Sequence, residues 1–391
     1  MSSDDPTLDP TATPDAAPDL TSARIAASMT EVVGDSDVIV CCGSGGVGKT
    51  TTAAVIAMEA ARVGRRVVVV TIDPARRLAD ALGLETGLSS APQRIALDGT
   101  GGSAEDPSGG EMWAMMLDTA ATFDGLVRAY ADDGEQVERI LSNGFYRNMA
   151  GAMSGTQEYM AAETLHALHQ DDRFDLVVVD TPPSRNALDF LDAPGVLSRF
   201  LDHRIFKLAM LPTRGGLKVL GVAAQPMFKA IGKVVGSDVL ADSLAFFQAF
   251  SGMETGFRER ADEVVALLRA ERTSFVVVAS PRRDTITEAV WFAQQLAEQD
   301  VGVAAAIINR VQPGFGDGEA PAEESTDAVL AALWSNLAEL RELRSAELDA
   351  LAPLVELTEP APVGLVPLLD GDVHDLVTLD RIARYLFPDP A

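Results

Sequence analysis

The eight residues Gly43-Ser44-Gly45-Gly46-Val47-Gly48-Lys49-Thr50 constrain this chain more than any other stretch. They satisfy G-x-x-x-x-G-K-[ST] at every fixed position, the pattern of a loop that wraps backbone N–H groups around phosphate. The flanks supply the context this pattern needs. Val38-Ile39-Val40-Cys41-Cys42 reads as a buried strand, and the Ala-rich run from Thr50 to Arg62 reads as a helix. Glycines let the N–H groups close on phosphate oxygens, and the helix N-terminus adds a favourable dipole. Gly43 through Thr51 is therefore the expected phosphate cradle, with Lys49 at the β/γ-phosphates and the Thr50 hydroxyl on Mg²⁺. A Gly-rich turn followed by a chance Lys-Thr is the alternative.

A length of 391 residues permits one large α/β domain or two domains. The formal net charge of −27 argues against general nucleic-acid binding, because phosphate contacts need basic surface. No charge-free apolar run reaches about 18 residues, so no transmembrane helix is expected. No basic n-region precedes an apolar stretch at the N-terminus, which predicts a cytoplasmic protein without a signal peptide. The two cysteines, Cys41 and Cys42, are adjacent on the loop's strand and poorly placed to pair. His166 and His169 are spaced to share a metal, but read more simply as polar positions on a helix ending near Gln170.

Residues 1–22 hold five Asp and no Lys or Arg among Pro, Thr, Ser and Ala, and are expected to be a disordered acidic tail. The remainder, 23–391, alternates strand and helix. β-rich runs fall at 38–42, 67–72, 174–180, 275–280, 303–308 and 363–368. Helical patterns lie between them, for example at 51–63, 157–170, 285–299 and 374–386. That alternation predicts an α/β fold, a doubly wound, mostly parallel sheet covered on both faces. Residues 98–111 read as a flexible surface loop and 313–326 as an acidic one. Residues 118–170 and 185–270 carry long helical patterns without strand signals and are expected to form a helical insertion subdomain.

Three strand ends carry candidate chemistry. Thr71-Ile72-Asp73-Pro74-Ala75 places Asp73 where a parallel sheet faces its ligand, so Asp73 could orient or deprotonate an attacking water. Its alternative is a cap on the next helix with Pro74 at N1. Leu176-Val177-Val178-Val179-Asp180-Thr181-Pro182-Pro183 puts Asp180 near the magnesium shell, in the manner of a Walker B acid. Ala304 to Ile308 ends in Asn309-Arg310, and an Asn can meet a base edge as donor and acceptor, or simply serve a turn. Elsewhere, 195–237 holds Arg199, Arg204, Lys207, Arg214, Lys218, Lys229 and Lys233 against Asp202 alone, a local charge of +6 among apolar residues. This stretch suits an anionic membrane face or an acidic partner, or else a helical layer whose cations are solvated.

Together these pieces resemble the ArsA-like anion-transporting ATPases, which include the arsenite-pump ATPase and the guided-entry targeting factor for tail-anchored proteins. More distantly they resemble MinD, ParA and nitrogenase iron protein. The likeness spans roughly residues 36–388. It rests on the loop at 43–51, Asp73-Pro74-Ala75, Asp180-Thr181-Pro182-Pro183-Ser184-Arg185, Ile308-Asn309-Arg310 and Val366-Pro367-Leu368. The run Thr156-Gln157-Glu158-Tyr159-Met160 is similar to actinobacterial members. The resemblance implies a P-loop NTPase of the SIMIBI class that uses ATP and Mg²⁺. In it Asp73 positions the hydrolytic water, Lys49 is catalytic, Thr50 and Asp180 serve the metal, and Asn309 and Pro367 contact the nucleotide. It further implies a homo- or heterodimer and a helical region for a client or membrane partner.

Two departures stand out. The family's second loop lysine, which reaches the partner's phosphates in a dimer, is here Ser44. The cysteines for a bridging zinc or for arsenite are missing. A heterodimer with a lysine-bearing paralogue, a nucleotide-gated chaperone subunit with slow hydrolysis, and a ParA-like positioning ATPase are the further readings. The acidic charge speaks against the last.

Overall fold

Long Val-rich runs with no polar alternation fit strands buried on both faces, which is the setting of a parallel sheet. A computed structural model of the protein, describing residues 22–73, 75–97, 109–150, 156–182, 237–316 and 328–388, contains such a sheet. Its strands are β1 (Val38–Cys42), β2 (Arg66–Thr71), β3 (Gln93–Ile95), β4 (Glu111–Met116), β5 (Leu176–Asp180), β6 (Thr273–Ala279), β7 (Val303–Val311) and β8 (Val363–Pro367). They lie in the order β3-β4-β2-β5-β1-β6-β7-β8. All neighbours are parallel except β3 and β4. The strand that leads into the phosphate loop is thus central, between β5 and β6.

The strand period of two sends adjacent side chains to opposite faces. Ile39, Cys41, Val67, Val69 and Val178 pack under α1 (Ser22–Asp35), α2 (Lys49–Arg62) and α13 (Leu376–Leu386). Val38, Val40, Cys42, Val68 and Val179 pack on the other face. That face is covered by α7 (Thr156–His169), α9 (Glu254–Leu268), α10 (Arg283–Glu298) and α12 (Ala352–Thr358). This is the doubly wound α/β arrangement expected from the sequence. Cys41 and Cys42 are free thiols on opposite faces.

A third core is helical and aromatic. It joins α4 (Thr119–Tyr130), α5 (Gly134–Leu141), α6 (Gly144–Ala150) and α8 (Ser237–Phe250) to α7 and α9. Phe250 and Phe257 sit 4.9 Å apart at its centre. Asp118 and Asp133 start α4 and α5 by accepting from Ala121 N and Gln136 N, which satisfies orphan donors of each first turn. Helix α7 serves both cores: Tyr159 and Met160 face the aromatics, while Leu165 and Leu168 face the sheet.

The structure departs from the sequence reading in particular places. The strands β3 and β4 fall outside the β-rich runs of the sequence, and the expected loop 98–111 ends inside β4, where Glu111 pairs with Arg66. Met112 and Ala114 are buried while Trp113 is only partly so, and six residues beside glycines give a weak strand signal. Strand β7 does not stop at Asn309: it runs on to Val311 through a bulge. His166 and His169 lie on the expected helix, which ends at His169; His166 is buried there, with its Nε2 3.6 Å from Glu263. A long helix, α11 (Ala328–Ala350), follows the acidic segment and has no buried residue. Among the described residues no helix is long and apolar enough to cross a membrane. The tail 1–21, residues 98–108, the basic stretch 195–236 and most of 313–326 lie outside the described residues.

Candidate nucleotide site

The loop between β1 and α2 is fixed by contacts that exclude side chains at two positions. Gly43 has φ +146°, and a Cβ there would lie 2.0 Å from the Val278 carbonyl oxygen on β6. Gly48 has φ +100°, and a Cβ there would lie 2.1 Å from Asn309 Nδ2 at the end of β7. Gly48 is also the N-cap of α2 and supplies no side-chain acceptor. The first-turn N–H groups of α2 are therefore left for a ligand, as anion binding at a helix N-terminus requires.

Lys49 is buried, and its Nζ donates to the carbonyls of Gly43 at 2.9 Å and Ser44 at 2.8 Å. Burial holds its pKa below the ordinary lysine range, against the pull of Asp180. Asp180 ends β5 and is almost fully buried. Its Oδ2 accepts from Thr50 Oγ1 at 2.9 Å and Thr71 Oγ1 at 2.8 Å. Its Oδ1 is buried and has no hydrogen-bond partner among the described residues. Burial raises its pKa to about 6, with the two hydroxyls and Lys49 opposing. A buried carboxylate oxygen without a partner, beside a threonine hydroxyl and an ammonium, is a hard-oxygen set that suits Mg²⁺. The residues present fit that ion.

Asp73 follows β2. Its N–H donates to Thr71 Oγ1 at 3.3 Å, its Oδ1 accepts from Ala75 N at 3.0 Å, and its Oδ2 lies 3.4 Å from Arg77 Nη1. It does not cap α3 (Arg77–Ala81), whose N-cap is Arg76 without a side-chain bond. Asp73 instead forms an Asx turn at the rim of a pocket of about 300 Å³. Gly46, Gly48, Lys49, Thr50, Thr51 and Asp73 line that pocket together with Arg77, Thr181 and Arg310.

The other sequence candidates are more peripheral. Asn309 is behind the loop rather than in the pocket lining: its Nδ2 donates to Val47 O at 3.0 Å, and its Oδ1 accepts from Arg310 N at 2.9 Å. Pro367 ends β8 opposite Val311 and is outside the lining. Ser44 lends its carbonyl to Lys49, while its Oγ is buried without a partner among the described residues. Gly45 is exposed at the tip of the loop.

Thr71, Arg77, Thr181 and Arg310 belong to the site but were not singled out from sequence. Thr181 ties the end of β5 to β1 by donating from Oγ1 to Cys41 O at 2.8 Å. Both threonines sit beside a strand-end acid, a position that could have marked them. Arg310 enters the lining through the bulge in β7, which no local pattern announces. Among the described residues no group of three His, Cys, Asp or Glu is placed to hold a metal ion.

Comparison with known proteins shows the family. The family model described as Anion-transporting ATPase matches residues 36–387. ATPase GET3 of Malassezia globosa is 27% identical over 274 residues, covering 70% of this chain and 72% of that protein. ATPase GET3 of Paracoccidioides lutzii is 28% identical over 272 residues, covering 69% and 71%. A protein named as an arsenical pump-driving ATPase in Aquifex aeolicus is 22% identical over 364 residues, covering 90% and 79%. With the loop, the two strand-end acids and the sheet order in place among the described residues and the family model matching residues 36–387, the chain belongs to the ArsA family of anion-transporting ATPases.

Proposed function

We propose that this chain binds ATP with Mg²⁺ at the loop, hydrolyses it, and uses the cycle to close and reopen a dimer that engages a client or membrane partner. The observation that carries this reading is the cluster around Asp180, which lies outside the pocket lining and reaches it through Thr50. Thr50 and Thr71 fix one oxygen of Asp180, its other oxygen has no partner among the described residues, and Lys49 stands beside it. Mg²⁺ held there would neutralise charge on the β- and γ-phosphates. Lys49 exchanges its loop carbonyls for phosphate oxygens, and the α2 N-terminus holds the phosphate chain. Asp73, at the rim and already in reach of Arg77, positions the attacking water.

Partner engagement is the outer part of the proposal. It is supported by the +6 charge of 195–237 on an otherwise acidic chain and by a separate aromatic helical core joined to the sheet through α7. The protein works in the cytoplasm, with the membrane as a peripheral contact.

Ser44 favours a second reading, a chaperone-like subunit whose own hydrolysis is slow and whose full activity needs a lysine-bearing paralogue. Its hydroxyl supplies no charge and is turned inward. Steady-state ATPase rates of the chain alone, of the mixture with such a paralogue, and of Ser44→Lys separate the two readings. A missing cation in phosphoryl transfer is worth on the order of 10³-fold. The heterodimer reading predicts a rise in the mixture and in the variant. Full activity alone, unaltered by either change, leaves the self-sufficient ATPase.

A further inference from the structure

The arginines around this sheet are nearly all spoken for. Arg66 is paired with Asp175, Arg272 with Asp37, Arg62 with Asp380 and Arg260 with Glu163. In the nucleotide pocket itself, Lys49 is bound to its own loop and Arg77 is shared with Asp73. Arg310 differs from all of them. It lines the pocket and is exposed, and its guanidinium has no ion-pair or hydrogen-bond partner among the described residues.

Its backbone differs as well. Arg310 has φ +64°, the left-handed region that an L residue with a long side chain rarely adopts. The strain arises at the bulge where the register of β7 against β8 shifts between Asn309 and Val311. A bulge re-aims a side chain, and strain kept in a folded protein concentrates at functional positions. The preceding residue fixes the turn: Asn309 Oδ1 accepts the Arg310 N–H at 2.9 Å, while its Nδ2 holds Val47 O of the phosphate loop. Arg310 is thus carried on the same hydrogen-bonded unit as the loop.

We propose that Arg310 is a nucleotide-contacting residue, whose guanidinium binds a phosphate of the nucleotide at the mouth of the loop. The claim rests on the pocket holding a nucleotide, as argued above. A guanidinium offers two parallel donors that match phosphate oxygens, and a partner supplied by the ligand accounts for a cation left unpaired beside a phosphate loop. The strained turn is kept because a relaxed strand would carry the side chain past the pocket.

Titration calorimetry with Mg-ATP and Mg-ADP tests this on the full-length protein. Arg310→Ala should weaken both nucleotides by about ten- to a hundredfold, the range of a charged hydrogen-bonded contact. Arg310→Lys should restore part of that, because it keeps the charge and loses the fork. Arg310→Gly provides the decisive control. Glycine adopts φ +64° without strain, so the nucleotide-free melting temperature should be unchanged or raised while affinity falls as in Arg310→Ala. Were Arg310 needed only to shape the bulge, the glycine variant would bind like wild type. Affinities within twofold of wild type for both the alanine and glycine variants would overturn the proposal while leaving the nucleotide site intact. No saturable binding by wild type would remove the site itself, and this contact with it.

Discussion

The two ends of the central sheet use the same kinds of residue in opposite ways. At the amino end, Asp175 accepts from Arg66 through both carboxylate oxygens, and Asp37 takes Arg272 in a two-point pair at 2.7 Å. Arg65 donates to the carbonyls of Val33, Ser36 and Asp175, stitching α1 and β5 to β2. Each of these groups meets a complementary one. At the carboxyl end, Asp180 keeps an oxygen without a partner, Ser44 a hydroxyl, and Arg310 a free guanidinium on a strained backbone, among the described residues. At these two ends, satisfied groups hold the sheet and unsatisfied ones surround the phosphate loop; buried polar atoms of Tyr159, His166 and Trp334 also lack a partner among the described residues, so an orphaned atom alone does not mark a site.

The largest effect that tests this contrast is on turnover. Lys49→Ala should lower the ATP hydrolysis rate by 10³-fold or more, on the order of 4 kcal/mol at the barrier, with thermal stability little changed. Steady-state phosphate release measures the first and a melting curve the second. A variant that turns over within tenfold of wild type would remove Lys49 from the catalytic machinery.

Next in size is a pH dependence of opposite sign at the two ends. Asp180 is raised from the ordinary 3.8 to about 6 by burial. The native protein then keeps a proton that the unfolded chain has already lost, so stability falls as pH rises through this window. The loss is about 3 kcal/mol, from 1.36 kcal/mol per unit. Asp37 and Asp175 are lowered, chiefly by their hydrogen bonds from Arg272 and Arg66. Their contribution is present above the ordinary carboxylate value and is lost as pH falls through their lowered values. Melting temperatures of nucleotide-free, magnesium-free protein across pH 3 to 7 should show both limbs. Asp180→Asn should flatten the upper limb and spare the acid one; an unchanged upper limb means that another group carries it.

The smallest effect expected is at the paired end. Asp175→Asn removes one partner of a half-exposed ion pair. It should cost no more than about 1 kcal/mol in denaturant unfolding and leave the ATPase rate unaltered. A loss of turnover there would mean that the two ends are coupled through β2 and β5.

Much of the catalytic end was legible because its signals are local. Gly43 to Thr50 is a contiguous pattern, and Asp73 and Asp180 each follow a run of buried Val or Leu, so the residue that ends the run marks the ligand side of a parallel sheet. What stayed hidden depends on pairs far apart in sequence. Short β4 is a strand because β2 offers it an edge, with Arg66 opposite Glu111. The Asn309 amide turns toward Val47, 262 positions away, rather than only serving a turn.

The sequence by itself determined the period of the elements, the identity of the phosphate loop and the acids that flank it, since these depend on side-chain alternation and on glycine at fixed spacing. Only the tertiary structure decided how each charge is used. Whether a carboxylate is a clamp or a ligand depends on which donors the fold brings within about 3 Å and on how much water it excludes. Asp175 and Asp180 close the same short segment of chain, yet one is spent on Arg66 and the other is buried with an oxygen to spare. Strand order made that difference. It set β2 beside β5, so that Arg66 meets Asp175 at one end of the pair and Thr71 meets Asp180 at the other.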